Sequence, residues 1–337
     1  MNRRSLFQKG AIAVATLLIA GSGIAVAVDR NNEDEVVKLD SRASRFNYRQ
    51  NEVLIKFKTS SGVSMRKSKS GKFTTSGVNG VDALMQQIGA ETVDELMPLT
   101  GADVSRRQSR AISGQMVVNS DLSKLYRIRF DVSKVSSVHE VIELIKQSED
   151  VEYAEPNYLI YSLGNNGNDN GNNNGNGNNN GNNFEEEPLY SQQWGIQEVN
   201  LHQLWKMPTI TEERPIIGIL DTGVDINHAD LFDNIWTNPT EASGAEDADD
   251  DGNGFTDDLH GWDFVNQTGR IGDWNGHGTH CAGIAAGVGK NGKGISGANP
   301  DALIMPVTVM QSDGVGDIAT LIKGIDYAVA NGATVLN

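Results

Sequence analysis

Twenty consecutive residues, Gly164 to Asn183, are asparagine and glycine with a single aspartate. No apolar side chain lies among them, so nothing there can be buried to offset the entropy of ordering. The run therefore divides the chain into parts that must build their own cores. As a coil it spans about 25 Å, at about 5–6 Å times the square root of its length. It reads either as a tether open to processing or as an inert low-complexity insertion, and the sequence leaves both open. Charge is unequal across it. Residues 184–337 carry 24 acidic and 6 basic side chains, whereas residues 1–183 carry 20 and 22, for a net −16. Such an acidic second half argues against binding nucleic acid, which needs basic groups to neutralise phosphates; simple solubility accounts for it as well. Cys281 is the only cysteine, which excludes an intrachain disulfide. On its small-residue stretch it reads as a packed thiol rather than a nucleophile.

The N-terminus has the layout of an export signal. Met1 to Arg4 is basic, Ala11 to Val28 is apolar, and Ala25-Val26-Ala27 is a small-x-small cleavage site. Residues 1–27 are accordingly expected to be a signal peptide, with membrane contact only during export. Arg3-Arg4 also fits a twin-arginine signal, and the mature protein is expected outside a bacterial cytoplasm.

From 45 to 163 the pattern is that of a small α+β unit. Val53–Lys58 reads as a strand, and Val78–Ile88 as a helix with Val81, Leu84, Met85 and Ile88 on one face. Leu125–Phe130 alternates like a half-buried strand. Ser137 to Glu140 has capping-box spacing and opens a helix presenting Val138, Val141, Ile142 and Ile145. Val151–Tyr161 reads as a last strand. Strand, helix, strand, helix, strand suggests a split-βαβ, ferredoxin-like unit.

Residues 184–337 read as α/β. Pro215–Leu220 is a short uncharged apolar run, suited to a parallel strand covered on both faces. Asp221 sits at its carboxyl end, where open α/β sheets place their chemistry. His277 stands at the mouth of a Gly/Ala-rich, helix-prone stretch that runs through Cys281. An aspartate that orients a histidine is two-thirds of a nucleophile-activating triad. His280 lacks the His-Glu-x-x-His zinc pattern and is expected to pack beside the site. Between the two motifs lies Asp247 to Asp258, with acids at the first, third, fifth and twelfth places and Gly252 at the sixth. That spacing matches a calcium loop using Asp247, Asp249, Asp251, Asn253, Phe255 and Asp258, with Asp257 able to substitute at the end. A solvated acidic loop is the plain alternative. Downstream, Pro306–Met310 reads as a strand, Asp317–Ala330 as an amphipathic helix stopped by Gly332, and Ala333–Asn337 as the start of a strand.

Ile219-Leu220-Asp221-Thr222-Gly223-Val224-Asp225 and His277-Gly278-Thr279-His280-Cys281-Ala282-Gly283 resemble the Asp and His motifs of the subtilisin-like serine proteases (subtilases). Asp150 to Tyr158 resembles the last strand of their prosegments, Leu189 to Ile196 their opening segment, and Asp313-Gly314-Val315-Gly316 their cleft-lining segment. The resemblance implies an α/β fold, a subtilisin-like parallel sheet with flanking helices, here incomplete, behind a ferredoxin-like prosegment. It implies a secreted, calcium-stabilised endopeptidase acting on protein and peptide substrates, with residues 45–163 as an intramolecular inhibitor joined by linker 164–183 to catalytic residues 184–337. The family's serine and oxyanion asparagine fall beyond Asn337, so this stretch is expected to be inactive alone. Neither Ser296 nor Ser312 stands in a Gly-Thr-Ser-Met-like setting. A prosegment-type protease inhibitor and an extracellular calcium-binding module are the competing readings.

Overall fold

The computed structural model describes residues 47–100, 108–110, 116–118, 121–162, 184, 187–206 and 213–337. The expected signal peptide and the Asn/Gly run lie outside the described residues. All elements below belong to one compact unit, Tyr48–Asn337.

The first half contains β1 (Tyr48–Phe57), β2 (Arg66–Lys67), β3 (Phe73–Thr75), α1 (Asn79–Ile88), β4 (Ala90–Glu95), β5 (Gln108–Arg110), β6 (Met116–Val118), β7 (Leu125–Phe130), α2 (Val138–Ile145) and β8 (Val151–Tyr161). Strands β8, β1, β7 and β4 lie side by side in that order, every pair antiparallel. The helices cover one face. Val53, Ile55 and Phe57 point into a core with Val81, Met85 and Ile88 of α1 and Val138, Val141, Ile142 and Ile145 of α2. Both helix faces are those expected from the apolar spacing. The capping box differs in detail. Ser137 Oγ accepts the Glu140 N–H at 3.2 Å, but the Glu140 carboxylate reaches back to Ser136 N and Oγ, at 2.7 and 2.6 Å. Strand β4 was not expected. Its sequence, Ala-Glu-Thr-Val-Asp-Glu, buries only Val93, so an edge strand with one inward residue left no alternation to read.

The second half begins with two short helices, α3 (Trp194–Glu198) and α4 (Leu201–Leu204), and continues with β9 (Ile216–Asp221), β10 (Trp262–Asp263), α5 (His277–Ala286), β11 (Leu303–Thr308), β12 (Val315–Asp317), α6 (Ile318–Ala330) and β13 (Val335–Leu336). Strands β10, β11, β9 and β13 form an all-parallel sheet. Both its faces are covered, as the uncharged β9 run requires. Ile217, Ile219 and Ile304 pack with Ala282 and Ala286 of α5. On the other face Leu220, Met305 and Val307 meet Tyr327 and Ala328 of α6. Strand β11 begins three residues before the expected Pro306. Proline lacks an N–H for a ladder, but here it is tolerated because β10 reaches only Val307 and Thr308.

The two halves share a sheet. Strand β12, which overlaps the Asp313–Gly316 segment given above only as resembling a cleft-lining one, pairs antiparallel with the end of β8: Val315 opposite Tyr161, Gly316 opposite Ile160, Asp317 opposite Leu159. Ser162 N donates onward to Gly314 O at 2.8 Å. Beneath this seam Leu54, Leu96, Met97 and Leu125 pack against Ala319 and Ile322 of α6. That contact explains why β1 is buried on both faces rather than alternating.

Candidate active site

Asp221 is the last residue of β9 and is 5% exposed. Its carbonyl accepts from Val309 N and Met310 N at 2.9 and 3.1 Å, and its Oδ1 from Thr222 N at 2.7 Å. His277 is the first residue of α5, directly after Gly276, whose φ of 93° turns the chain into the helix. At Gly278 the helix approaches the β9 turn backbone to backbone. A Cβ at Gly278 would stand 2.0 Å from Gly223 O and 3.0 Å from Asp221 Cβ. This contact brings His277 Nδ1 to 2.7 and 2.8 Å from the two Asp221 carboxylate oxygens. An ionised carboxylate only accepts, so Nδ1 carries the proton and Nε2 is left as the acceptor. Residues 56 positions apart in sequence thus form an oriented imidazole at the carboxyl end of the sheet.

Cys281, one turn along α5, places Sγ 3.8 Å from His277 Nδ1. Burial first, and then the Asp221 charge, push its thiol up to about 11. At neutral pH it stays protonated and is a poor nucleophile. His280 does not pack beside the site; it is exposed on α5. His228 lies in the turn after β9, where its Nδ1 accepts from Asp230 N at 3.2 Å.

The acidic loop gathers only part of the expected calcium set. Carboxylate oxygens of Glu241, Asp251 and Asp258 lie within 4.8 Å of one another. Asp258, fully buried, accepts from Asn238 Nδ2 at 2.9 Å, Asn253 Nδ2 at 3.0 Å and Tyr327 OH at 2.7 Å. Asp249 is engaged in the loop's own turn, accepting from Asn253 N and Gly254 N at 3.1 and 2.8 Å. The exposed Asp247 instead donates its backbone N–H to the Asp257 carboxylate. Phe255 N donates to Asn253 Oδ1 at 2.8 Å while its ring packs edge-on against Trp262, Phe264 and Tyr327. Glu241 precedes the twelve-residue window and stands on a separate turn, Glu241–Ser243, so the loop spacing does not point to it. Its Oε2 is buried with no hydrogen-bond partner.

A second buried acidic pair has no counterpart in the sequence reading. Glu187 and Asp230 are each 4% exposed. Glu187 Oε1 accepts from Asn291 N at 2.9 Å, whereas Oε2 is buried and unpartnered. Asp230 accepts from Asn291 Nδ2 at 2.9 Å and Ile295 N at 2.8 Å. Burial raises the carboxyls of Glu187, Asp230 and Asp258 above the ordinary range, against the hydrogen bonds that lower them. An orphaned buried carboxylate oxygen is costly unless a cation or a proton satisfies it. Both clusters offer hard oxygen donors that fit a calcium ion. Glu187 sits in a run of three glutamates and Asp230 in a turn, and neither pattern carries a spacing signal.

Residues 212–337 match the family model described as "Subtilase family". "Subtilisin-like protease 1" of Plasmodium berghei (strain Anka) is 35% identical over 146 residues, 43% of this chain and 24% of the relative. "Thermitase" of Thermoactinomyces vulgaris is 35% identical over 147 residues, 44% of each chain. "Minor extracellular protease Epr" of Bacillus subtilis (strain 168) is 28% identical over 229 residues, 65% of this chain and 28% of the relative. The chain thus spans less than half the length of each of these three. Residues 212–337 thus match the subtilase family, and they carry an aspartate–histidine pair at the carboxyl end of β9.

Proposed function

We propose that this chain is the N-terminal part of a secreted serine endopeptidase precursor that cleaves peptide bonds in proteins. The observation that carries the proposal is the His277–Asp221 contact at 2.7 Å. In the proposed mechanism a serine supplied from beyond residue 337 stands against His277 Nε2. The imidazole takes its proton as the hydroxyl attacks the substrate carbonyl, and then gives that proton to the leaving amine. Asp221 keeps Nδ1 protonated and stabilises the imidazolium that forms between the two transfers. A fluorophosphonate probe on the full-length secreted protein tests this: labelling of a serine, lost in Asp221→Asn, is expected, and no labelling of any processed form would count against the enzyme.

Residues 45–163 are proposed as an inhibitory prosegment. A β-α-β-β-α-β chain order with β8, β1, β7 and β4 side by side supports the ferredoxin-like reading. The strand that β8 adds to β12 supports occupation of the cleft, an arrangement a peptide substrate would share. Processing is proposed between Tyr161 and Asn183, and N-terminal sequencing of the secreted enzyme checks it. Secretion is supported by the basic–apolar–small N-terminus and by a relative whose name calls it extracellular. Among the described residues no helix is long and apolar enough to cross a membrane.

Calcium is proposed at both acidic clusters, held by Glu241, Asp251 and Asp258 in one and by Glu187, Asp230 and Asn291 in the other. Bound there, it would neutralise buried carboxylates and tie loops to the sheet.

A further inference from the structure

We infer that Asp273 is a positioning residue that holds the Asp221–His277 pair in register; the inference rests on the protease reading above. Asp273 is four residues before His277 and touches neither member of the pair. Its Oδ1 accepts from Thr222 Oγ1 at 3.0 Å, Asn275 N at 3.1 Å and Gly276 N at 2.9 Å. Its Oδ2 accepts from Thr279 N at 2.9 Å and Thr279 Oγ1 at 2.7 Å. One carboxylate therefore grips the residue after Asp221 and the residues on both sides of His277.

Each partner passes the constraint on. Thr222 N donates to Asp221 Oδ1, and Thr222 Oγ1 accepts from Gly278 N at 3.1 Å. Thr279 Oγ1 accepts from Asp225 N at 2.9 Å, tying α5 to the far side of the β9 turn. Asn275 accepts from His277 N at 3.3 Å and donates to Ser312 O at 2.8 Å, on the segment leading into β12. The backbones in this cage nearly touch: a Cβ at Gly223 would stand 2.0 Å from Gly272 O. The Thr222 and Thr279 hydroxyls bridge strand turn and helix, and both are themselves held by the Asp273 carboxylate. The Asp273 acceptors set the direction of these bridges, and they add negative charge at the N-terminus of α5, where it is favoured. Reacting groups must be held within about 0.5 Å, and a 1 Å misplacement costs about 100-fold.

Asparagine has nearly the same volume, but its amide N–H₂ must confront N–H donors at one of the two positions. Asp273→Asn and Asp273→Ala should therefore both lower kcat of the full-length enzyme by about 30- to 100-fold. KM should stay within about threefold, since Asp273 makes no hydrogen bond to β12. The strongly deshielded His277 Nδ1 proton, observed by NMR in the same protein, should shift or broaden. Ile304→Val, in the core behind the site, is the control for lost stability: it should lower Tm and leave kcat and the resonance unchanged. If Asp273→Ala does not fold, Asp273→Asn carries the test. Retention of kcat within threefold overturns the inference, and so does a fall in kcat with an unmoved resonance. Should the wild-type protein resist fluorophosphonate, the protease reading fails instead, and the resonance still decides whether Asp273 sets the pair.

Discussion

Asn157 offers a quantitative test of how the two halves are joined. Its side chain is fully buried at the seam. Oδ1 accepts from Ala319 N in the first turn of α6 at 3.0 Å, and Nδ2 donates to Glu52 at 2.7 Å and Asp317 at 3.2 Å. In Asn157→Ala the carboxylates keep other partners: Arg129 for Glu52, and Arg49 and the Thr320 N–H for Asp317. Their combined loss is about 1 kcal/mol. The Ala319 N–H has no substitute, and an orphaned buried donor costs about 1–3 kcal/mol. The sum, about 2–4 kcal/mol, corresponds to a factor of about 30 to 700 in the equilibrium that opens the seam. Native-state hydrogen exchange reads that equilibrium directly. Amides of Val315–Asp317 and Leu159–Tyr161 should accelerate by this factor, while Ile219 and Val307, deep in the parallel sheet, should not. Asn157→Asp should be worse at neutral pH, because it sets a third carboxylate between two others. Seam amides unchanged within threefold, or uniform acceleration everywhere, would refute the reasoning.

Gly278→Ala should lower kcat at least 100-fold, because a Cβ 2.0 Å from Gly223 O forces α5 outward by about 1 Å; an activity assay showing less than a tenfold loss would contradict this. Chelation should lower Tm of the full-length protein at pH 7, and Glu241→Gln should remove part of the difference; a melting curve indifferent to EDTA would dismiss the cation sites. The same sites fix a pH trend. Glu187, Asp230 and Asp258 have folded values raised above the unfolded ones. Without a cation, the folded state then binds more protons than the unfolded state from about pH 4 up to those raised values, so stability falls as pH rises through this window. Asp273 and Asp317 are held low and lose their contribution only below about pH 4. The Tm gap between calcium-loaded and chelated protein should therefore narrow from pH 7 to pH 5, and a gap that widens would reverse the assignment.

Much of this architecture was legible because its signals are local. The spacing of Val138, Val141, Ile142 and Ile145 names a helix face, and an uncharged run ending at Asp221 names a covered strand and its reactive end. The Asp221–His277 pairing was suggested by residue chemistry and strengthened by resemblance, since nothing local fixes a contact across 56 positions. Long-range demands escaped. Strand β12 is three residues of Val-Gly-Asp that become a strand only because β8 arrives beside them. Glu241 and Glu187 acquire meaning from a buried unpartnered oxygen, which no spacing encodes. Asp273 stands in a polar loop, and no local spacing encodes the five donors that converge on it.

The three-residue edge Val315–Asp317 can accommodate one visitor at a time. While the covalent path from Ser162 to Phe184 stays intact, its present occupant is replenished at about millimolar effective concentration. Under the proposed function, a free peptide substrate at micromolar levels would lose that contest even if its intrinsic affinity matched. Scission of the connection changes the rivalry from intramolecular to bimolecular, so dilution alone could then vacate the edge without altering a single contact along it.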